Sequence, residues 1–199
     1  MNPILKFVPL CCAVASGLTA VAQTTKQVAQ SNRPEATVRS VYREVQLHAP
    51  SGLPGKDDMR VFAPYLSESL RRKIGQAEAC GKDWNRQNGG QLEKAPFAWS
   101  EFGIFSGANE RTSPATFQIE SIHKTRDGSF QVVVGFTYRP GDGPGSWHVT
   151  DRVIQEGGRF VLDDVFFPKD DSGEDATLTG ILSEGCEGAH WIGEGGHSN

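Results

Sequence analysis

The sequence predicts an α+β fold, a curved antiparallel sheet packed on N-terminal helices, from three observations. Apolar residues recur at helical spacing between residues 34 and 80. From Ala115 onward the period changes to two. The period-two segments are then joined by short glycine-containing turns of the kind that close hairpins.

The helices come first. Pro34 and Glu35 open one, and Val38, Val41, Tyr42 and Val45 form a single apolar stripe at i, i+3, i+4 and i+7. Two prolines and two glycines between residues 49 and 55 end it. Asp57 or Asp58 can cap the next piece, with Met59, Phe62 and Ala63 turned inward. Pro64 restarts the helix, and Leu66, Leu70, Ile74 and Ala77 carry it to an expected end at Cys80-Gly81. Arg71, Arg72 and Lys73 read as its solvated face. Residues 82–94 are polar, contain Asn88-Gly89-Gly90 and read as an exposed loop. Phe97, Trp99, Phe102 and Phe105 follow as an aromatic cluster, either core at the mouth of the sheet or an apolar pocket wall.

The strands follow. Phe117, Ile119, Ser121 and His123 alternate with Thr116, Gln118, Glu120 and Ile122. Arg126-Asp127-Gly128-Ser129 is a hairpin signal, and Phe130, Val132, Val134, Phe136 and Tyr138 make an apolar face beyond it. A two-residue Asp127-Gly128 turn would set Phe117 opposite Tyr138, Ile119 opposite Phe136 and His123 opposite Val132. Residues 139–146 form a loop, residues 147–156 a third strand, and Gly157-Gly158 turns the chain into a fourth. Residues 170–175 are acidic, residues 176–183 read as a short helix, and the glycine-rich residues 193–199 as a loose tail. The expected domain spans residues 34–190, followed by a flexible tail over residues 191–199, with no internal repeat.

The N-terminus bears on location. Residues 1–6 carry one positive charge, residues 7–18 are apolar but short for a bilayer span, and Ala20-Val21-Ala22 is a small-x-small cleavage pattern. Residues 1–22 are therefore expected to be a signal peptide, residues 23–33 a disordered lead-in, and the working protein periplasmic or secreted. Loss of Lys6 with that segment takes the formal net charge from −4 to −5, and a mildly acidic chain argues against nucleic acid as a partner. Cys80 and Cys186 then remain as an even pair in an oxidising compartment, and a disulfide between them is expected. Closing a loop of about 105 residues is worth roughly 4–5 kcal/mol in the chain-entropy model.

The last hairpin holds the one constellation with chemical content. With Gly157-Gly158 as the turn, Glu156 pairs with Arg159, Arg152 faces Asp163 in a salt bridge, and Asp151 lies opposite Asp164 among Trp147, Val149, Val153, Phe160, Leu162 and Phe166. Two facing carboxylates on a half-buried face would share a proton or hold a cation, and could act as general acid and base. The structural alternative is an Asp that accepts hydrogen bonds from a helix N-terminus or a Trp indole. His123, expected on the inner face at the sheet rim, is the other candidate catalyst; His148 falls on the face away from Asp151. The sequence lacks G-x-S-x-G, H-E-x-x-H and G-x-x-x-x-G-K-[ST]. Gly141-Asp142-Gly143-Pro144-Gly145 lacks a phosphate loop's lysine, and Asp170, Asp171, Glu174 and Asp175 lack EF-hand spacing, so neither a cofactor nor a metal is expected.

Two segments carry a resemblance. Phe62-Ala63-Pro64-Tyr65-Leu66-Ser67-Glu68-Ser69-Leu70 resembles a helix entry common in the nuclear transport factor 2-like superfamily, a Pro-aromatic-Leu-Ser-x-x-Leu turn. Gly158-Arg159-Phe160-Val161-Leu162-Asp163-Asp164-Val165 is similar to its last strand, with Phe160 and Leu162 where Trp and Ile are usual. The resemblance spans roughly residues 35–167 and is nearest to exported bacterial members of unassigned function. It implies a cone, a bent sheet wrapped around helices with a cavity at its open end. It also implies that Asp164 matches the final-strand Asp of members that are isomerases, dehydratases or cyclases, while many other members bind without catalysis. Function is thus expected to be that of an exported binding or accessory module, with Trp99, Phe102, Tyr138 and Trp147 lining an apolar cavity for a small apolar ligand or a protein partner. The alternatives are an immunity-type interaction protein, and a small isomerase or lyase with Asp164 as base assisted by Asp151 or His123. Whether the chain forms a homodimer stays open.

Overall fold

The computed structural model describes residues 33–48, 51–89, 95–100, 102–108, 114–138, 145–168 and 176–193. The expected signal peptide, the lead-in up to residue 32, the loop at 139–144, the acidic stretch at 170–175 and the last residues of the tail lie outside them. The chain is α+β. Helix α1 (Pro34–His48), α2 (Lys56–Phe62), a 3-10 turn (Ala63–Tyr65) and α3 (Glu68–Gln87) precede four antiparallel strands, β1 (Thr116–Lys124), β2 (Phe130–Thr137), β3 (Ser146–Glu156) and β4 (Arg159–Phe166). The strands pair in sequence order, and a short α4 (Leu178–Ile181) and a two-stranded β5 (Cys186–Glu187) and β6 (His190–Trp191) close the molecule.

Helix α1 buries the face its apolar stripe predicts, Val38, Val41, Tyr42 and Val45, together with Pro34 and Thr37. It lies across the sheet and touches all four strands. Its stripe meets Phe62, Leu66, Leu70, Phe105, Val132, Val134, Phe136, Val149, Val153, Leu162 and Val165 in one core. Each fully buried aliphatic or aromatic side chain there contributes about 2 kcal/mol of transfer free energy. The cap of α2 differs from expectation. Gly55 is the N-cap, with Asp57 and Asp58 two and three residues further in, in the first turn, where they favour the positive end of the helix dipole. Pro64 then sits at the start of the 3-10 turn, Leu66 bridges to Leu162 of β4, and Ser67 caps α3 by accepting from the Leu70 amide at 3.0 Å.

Helix α3 runs six residues beyond Gly81 rather than ending there. Gly81 is helical and packs under the Trp99 ring, where a Cβ would sit 3.5 Å from a ring carbon. The stripe continues through Cys80 and Trp84, and the segment read as the start of a loop buries Asp83 and Trp84. Cys80 is joined to Cys186 by a disulfide across a sequence separation of 106. Around it Trp84, Phe97, Trp99 and Trp191 form a second, smaller apolar cluster. Among the described residues no helix is long and apolar enough to cross a membrane.

Both hairpins depart by one residue from unbroken alternation. The β1–β2 turn has three residues, with Thr125 pairing Ser129 through its amide at 2.9 Å and Gly128 at φ +85°. Asp127 organises it, accepting from the Thr125 hydroxyl, from Ser129 Oγ at 2.8 Å and from Arg152 at 3.1 Å, and these bonds hold its carboxyl well below the usual range. A bulge between Ile119 and Ser121 shifts the register again, so Phe117 pairs Phe136, Ile119 pairs Val134 and Ile122 pairs Val132. His123 pairs Gln131 and is exposed, which corrects its expected inward position. In β3–β4 the Gly157-Gly158 turn pairs Glu156 with Arg159 as expected, but a bulge between Arg152 and Val153 follows. Val153 pairs Leu162, while Arg152 pairs Asp164 and Asp151 pairs Val165. Asp151 and Asp164 therefore do not face each other. Leu162 and Val165 are both fully buried. Three residues apart, they can share one face only if the strand carries an extra residue between them.

Candidate functional site

Among the described residues a cleft opens at the rim of the sheet. Its volume is about 550 Å³, and its walls are Phe102, Gly107, Tyr138, Ser146, Trp147, Phe167, Pro168 and Ile181. Pockets of this size suit small molecules. Alternation builds one wall. Phe136 and Trp147 are cross-strand partners with stacked rings at 5.2 Å, and Tyr138 extends the stack over Trp147 at 4.2 Å. The opposite wall is Phe102 set edge-on to Phe167 at 5.5 Å. Gly107 lies between the walls at φ +69°, where a Cβ would sit 3.2 Å from the Phe167 ring, so glycine both permits the turn and leaves room for the ring. Among the described residues no charged side chain lies on these walls, and the Trp147 indole is already engaged, donating to the Ser106 carbonyl at 2.7 Å.

Of the four aromatic residues expected around a cavity, Phe102, Tyr138 and Trp147 lie on this cleft. Trp99 does not. It stacks on Phe97 at 4.8 Å in the cluster beside the disulfide.

The titratable candidates are dispersed. Asp164 shares a side of the sheet with Arg152, away from Asp151, and its carboxylate accepts from the Thr179 amide at 3.0 Å, the Thr179 hydroxyl at 2.6 Å and the Val165 amide at 2.9 Å. It ties α4 to β4, the helix-end role weighed as the structural alternative. Asp163 meets Arg152 at 3.2 Å, so the expected salt bridge forms even though the bulge changes the backbone pairing. His123 and His148 are exposed.

Asp151 stands apart. It is fully buried on the core side of β3, and its Oδ1 is 2.7 Å from the Tyr42 hydroxyl. That hydroxyl is also 3.0 Å from the Phe105 carbonyl. Asp151 Oδ2 has no hydrogen-bond partner among the described residues. Burial pushes the Asp151 carboxyl up to about 8, only partly opposed by the Tyr42 hydrogen bond. Burial and the neighbouring carboxyl likewise hold the Tyr42 phenol well above its ordinary value. Tyr42 is a polar partner that the helical stripe concealed, since a tyrosine at a stripe position reads as core. Asp83 was likewise hidden, in a segment read as loop. It accepts from Arg86 at 2.7 Å, Gln87 at 3.0 Å and the Trp191 amide at 3.0 Å.

No known protein family, curated protein or solved structure matches this chain.

Proposed function

We propose that this protein is a binding module, working outside the cytoplasm, that takes an uncharged apolar small molecule in the rim cleft. The observation that carries the reading is the cleft wall itself, with Trp147 and Tyr138 stacked together, Phe102 set against Phe167, and no charged side chain among its described residues. An ionic guest would lose its hydration there without a compensating partner. A disulfide joining α3 to the C-terminal hairpin supports an oxidising compartment. The helix entry at Pro64–Leu70 and the last strand do the structural work that a nuclear transport factor 2-like plan asks of them, capping α3 and bridging it to β4, which supports that plan and its cone. The acid–base alternative is disfavoured, because Asp164 is engaged by α4, Asp151 lies on the other side of the sheet, and His123 is exposed.

The test is titration with an uncharged fluorescent naphthylamine probe. The unsubstituted protein should bind it saturably. Tyr138→Ala and Ile181→Asp, both at half-buried positions on the cleft, should each weaken binding about tenfold while leaving Tm within a few degrees. Binding unchanged in both variants would place the apolar site elsewhere.

A further inference from the structure

The group behind the cleft has more acceptors than protons. The Tyr42 hydroxyl carries one hydrogen, yet its oxygen lies within bonding distance of both Asp151 Oδ1 and the Phe105 carbonyl. If Asp151 were ionised, one of these acceptors would go without. If Asp151 carries the proton, the chain closes: its carboxyl donates to Tyr42, and Tyr42 donates to Phe105. The surroundings favour the second state. Asp151 is flanked across the sheet by Val132 of β2 and Val165 of β4, and among the described residues Tyr42 of α1 is the titratable side chain bearing on it. Tyr42 itself stays neutral.

Phe105 belongs to the tight turn at residues 103–108, closed by the Ser106 and Gly107 amides donating to the Gly103 carbonyl at 3.0 and 2.8 Å. The same turn supplies Gly107 to the cleft and receives the Trp147 indole at Ser106. It is thus held from two sides, by Trp147 at the cleft and by Tyr42 from the core.

We propose that Tyr42 is a proton-steered latch on this turn: with Asp151 protonated its hydroxyl holds the Phe105 carbonyl, and when Asp151 loses its proton the hydroxyl rotates to the carboxylate and releases the turn that walls the cleft. Only the Asp151 O–H bond breaks: its proton leaves for solvent, the hydrogen bond it donated to Tyr42 is lost, and the Tyr42 hydroxyl moves its own from the Phe105 carbonyl to the carboxylate. The latch concerns the wall of the cleft and holds whether or not a ligand occupies it.

Linkage sets the signs. Asp151 keeps its proton in the folded protein up to about pH 8, while in the unfolded chain it releases it near the ordinary value of 3.8. Its contribution to stability is fully present below about pH 4, falls roughly tenfold in the folding constant per pH unit, and is spent above about pH 8. The turn should open only on the upper edge of that range.

Hydrogen exchange of the 103–108 segment, corrected for intrinsic rates, tests the latch. Between about pH 6 and about pH 10 the unsubstituted protein should lose protection there about tenfold, the equivalent of one hydrogen bond. Asp151→Asn, whose amide still donates to Tyr42, should hold the turn across that range. Tyr42→Phe should leave it open even at about pH 6. An Asn variant that opens with pH like the parent overturns the proposal, as does a Phe variant protected like the parent at about pH 6. If the Asn variant does not fold, the carbon shift of the Asp151 carboxyl decides in the unsubstituted protein. A protonated signature at about pH 6 that is lost by about pH 10 sustains the latch, and an ionised signature at about pH 6 refutes it.

Discussion

Asp83 and Asp151 are both buried carboxyls, and their surroundings drive them in opposite directions. Asp83, beside the disulfide, gathers donors from Arg86, Gln87 and the Trp191 amide, and these bonds, Arg86 foremost, hold it down at about 2. Asp151, under the cleft, has one hydroxyl neighbour and apolar cross-strand partners, and burial raises it to about 8. Donor supply decides which state is bearable. The two regions are built to match. The main core is held by buried area from α1 and four strands, whereas the region around Asp83 is small and depends on a covalent bond and a charged acceptor.

The sharpest way to break this contrast is to cut the covalent bond. Cys80→Ser should lower stability in non-reducing buffer by about 4 kcal/mol, because the disulfide closes a loop spanning 106 positions. Hydrogen exchange should rise first in β5 and β6 and last in β2 and β3. With reductant present, parent and variant should melt together. A variant that loses as much stability in reductant as without it would show that the cysteine matters through packing alone.

Removing the Tyr42 hydroxyl probes the other region. Tyr42→Phe keeps the ring on Phe136 and Phe117 but strips Asp151 Oδ1 and the Phe105 carbonyl of their shared partner. The expected loss is about 2 kcal/mol, the cost of leaving the buried Asp151 carboxyl donor and the Phe105 carbonyl acceptor unpaired. Chemical denaturation of both proteins at about pH 6 measures it. A loss no larger than that of Tyr65→Phe, at a half-buried position with no such pair, would mean that water already serves the two groups.

The contrast also marks where the sequence is legible. The α1 stripe, the order of helices and strands, the Gly157-Gly158 turn and the Cys80–Cys186 bond follow from local spacing and cysteine arithmetic, and each is found. The bulges do not follow, because an alternation rule assumes one residue per step. The Leu162–Val165 pair held the clue: both are apolar, three positions apart, with two aspartates between them. The bulge lets Asp163 reach Arg152 and Asp164 reach Thr179 while both apolar neighbours stay inside. The site divides in the same way. Phe102, Tyr138 and Trp147 come together because strand ends and the preceding turn share one rim. Trp99 is drawn off by Gly81 and Phe97, a contact between segments that no local pattern encodes.

Asp83 offers the smallest and most local test. A carboxylate held below its ordinary value stabilises the fold above about pH 4, and that contribution is lost as pH falls through about 2. The Trp191 amide, which donates to Asp83, should therefore lose protection over this interval, while amides of β2 in the main core should not. In Asp83→Asn the side chain still offers one oxygen to Trp191 but no charge to Arg86. Protection of that amide should be lower than in the parent at about pH 6 and should no longer change on acidification. Because Cys186 still tethers the hairpin to α3, the loosening should stay confined to β5, β6 and the end of α3, with little movement in Tm. An Asn variant whose Trp191 amide still titrates in the same interval would assign the acid response to another carboxylate, and the two-region contrast would then rest on Asp151 alone.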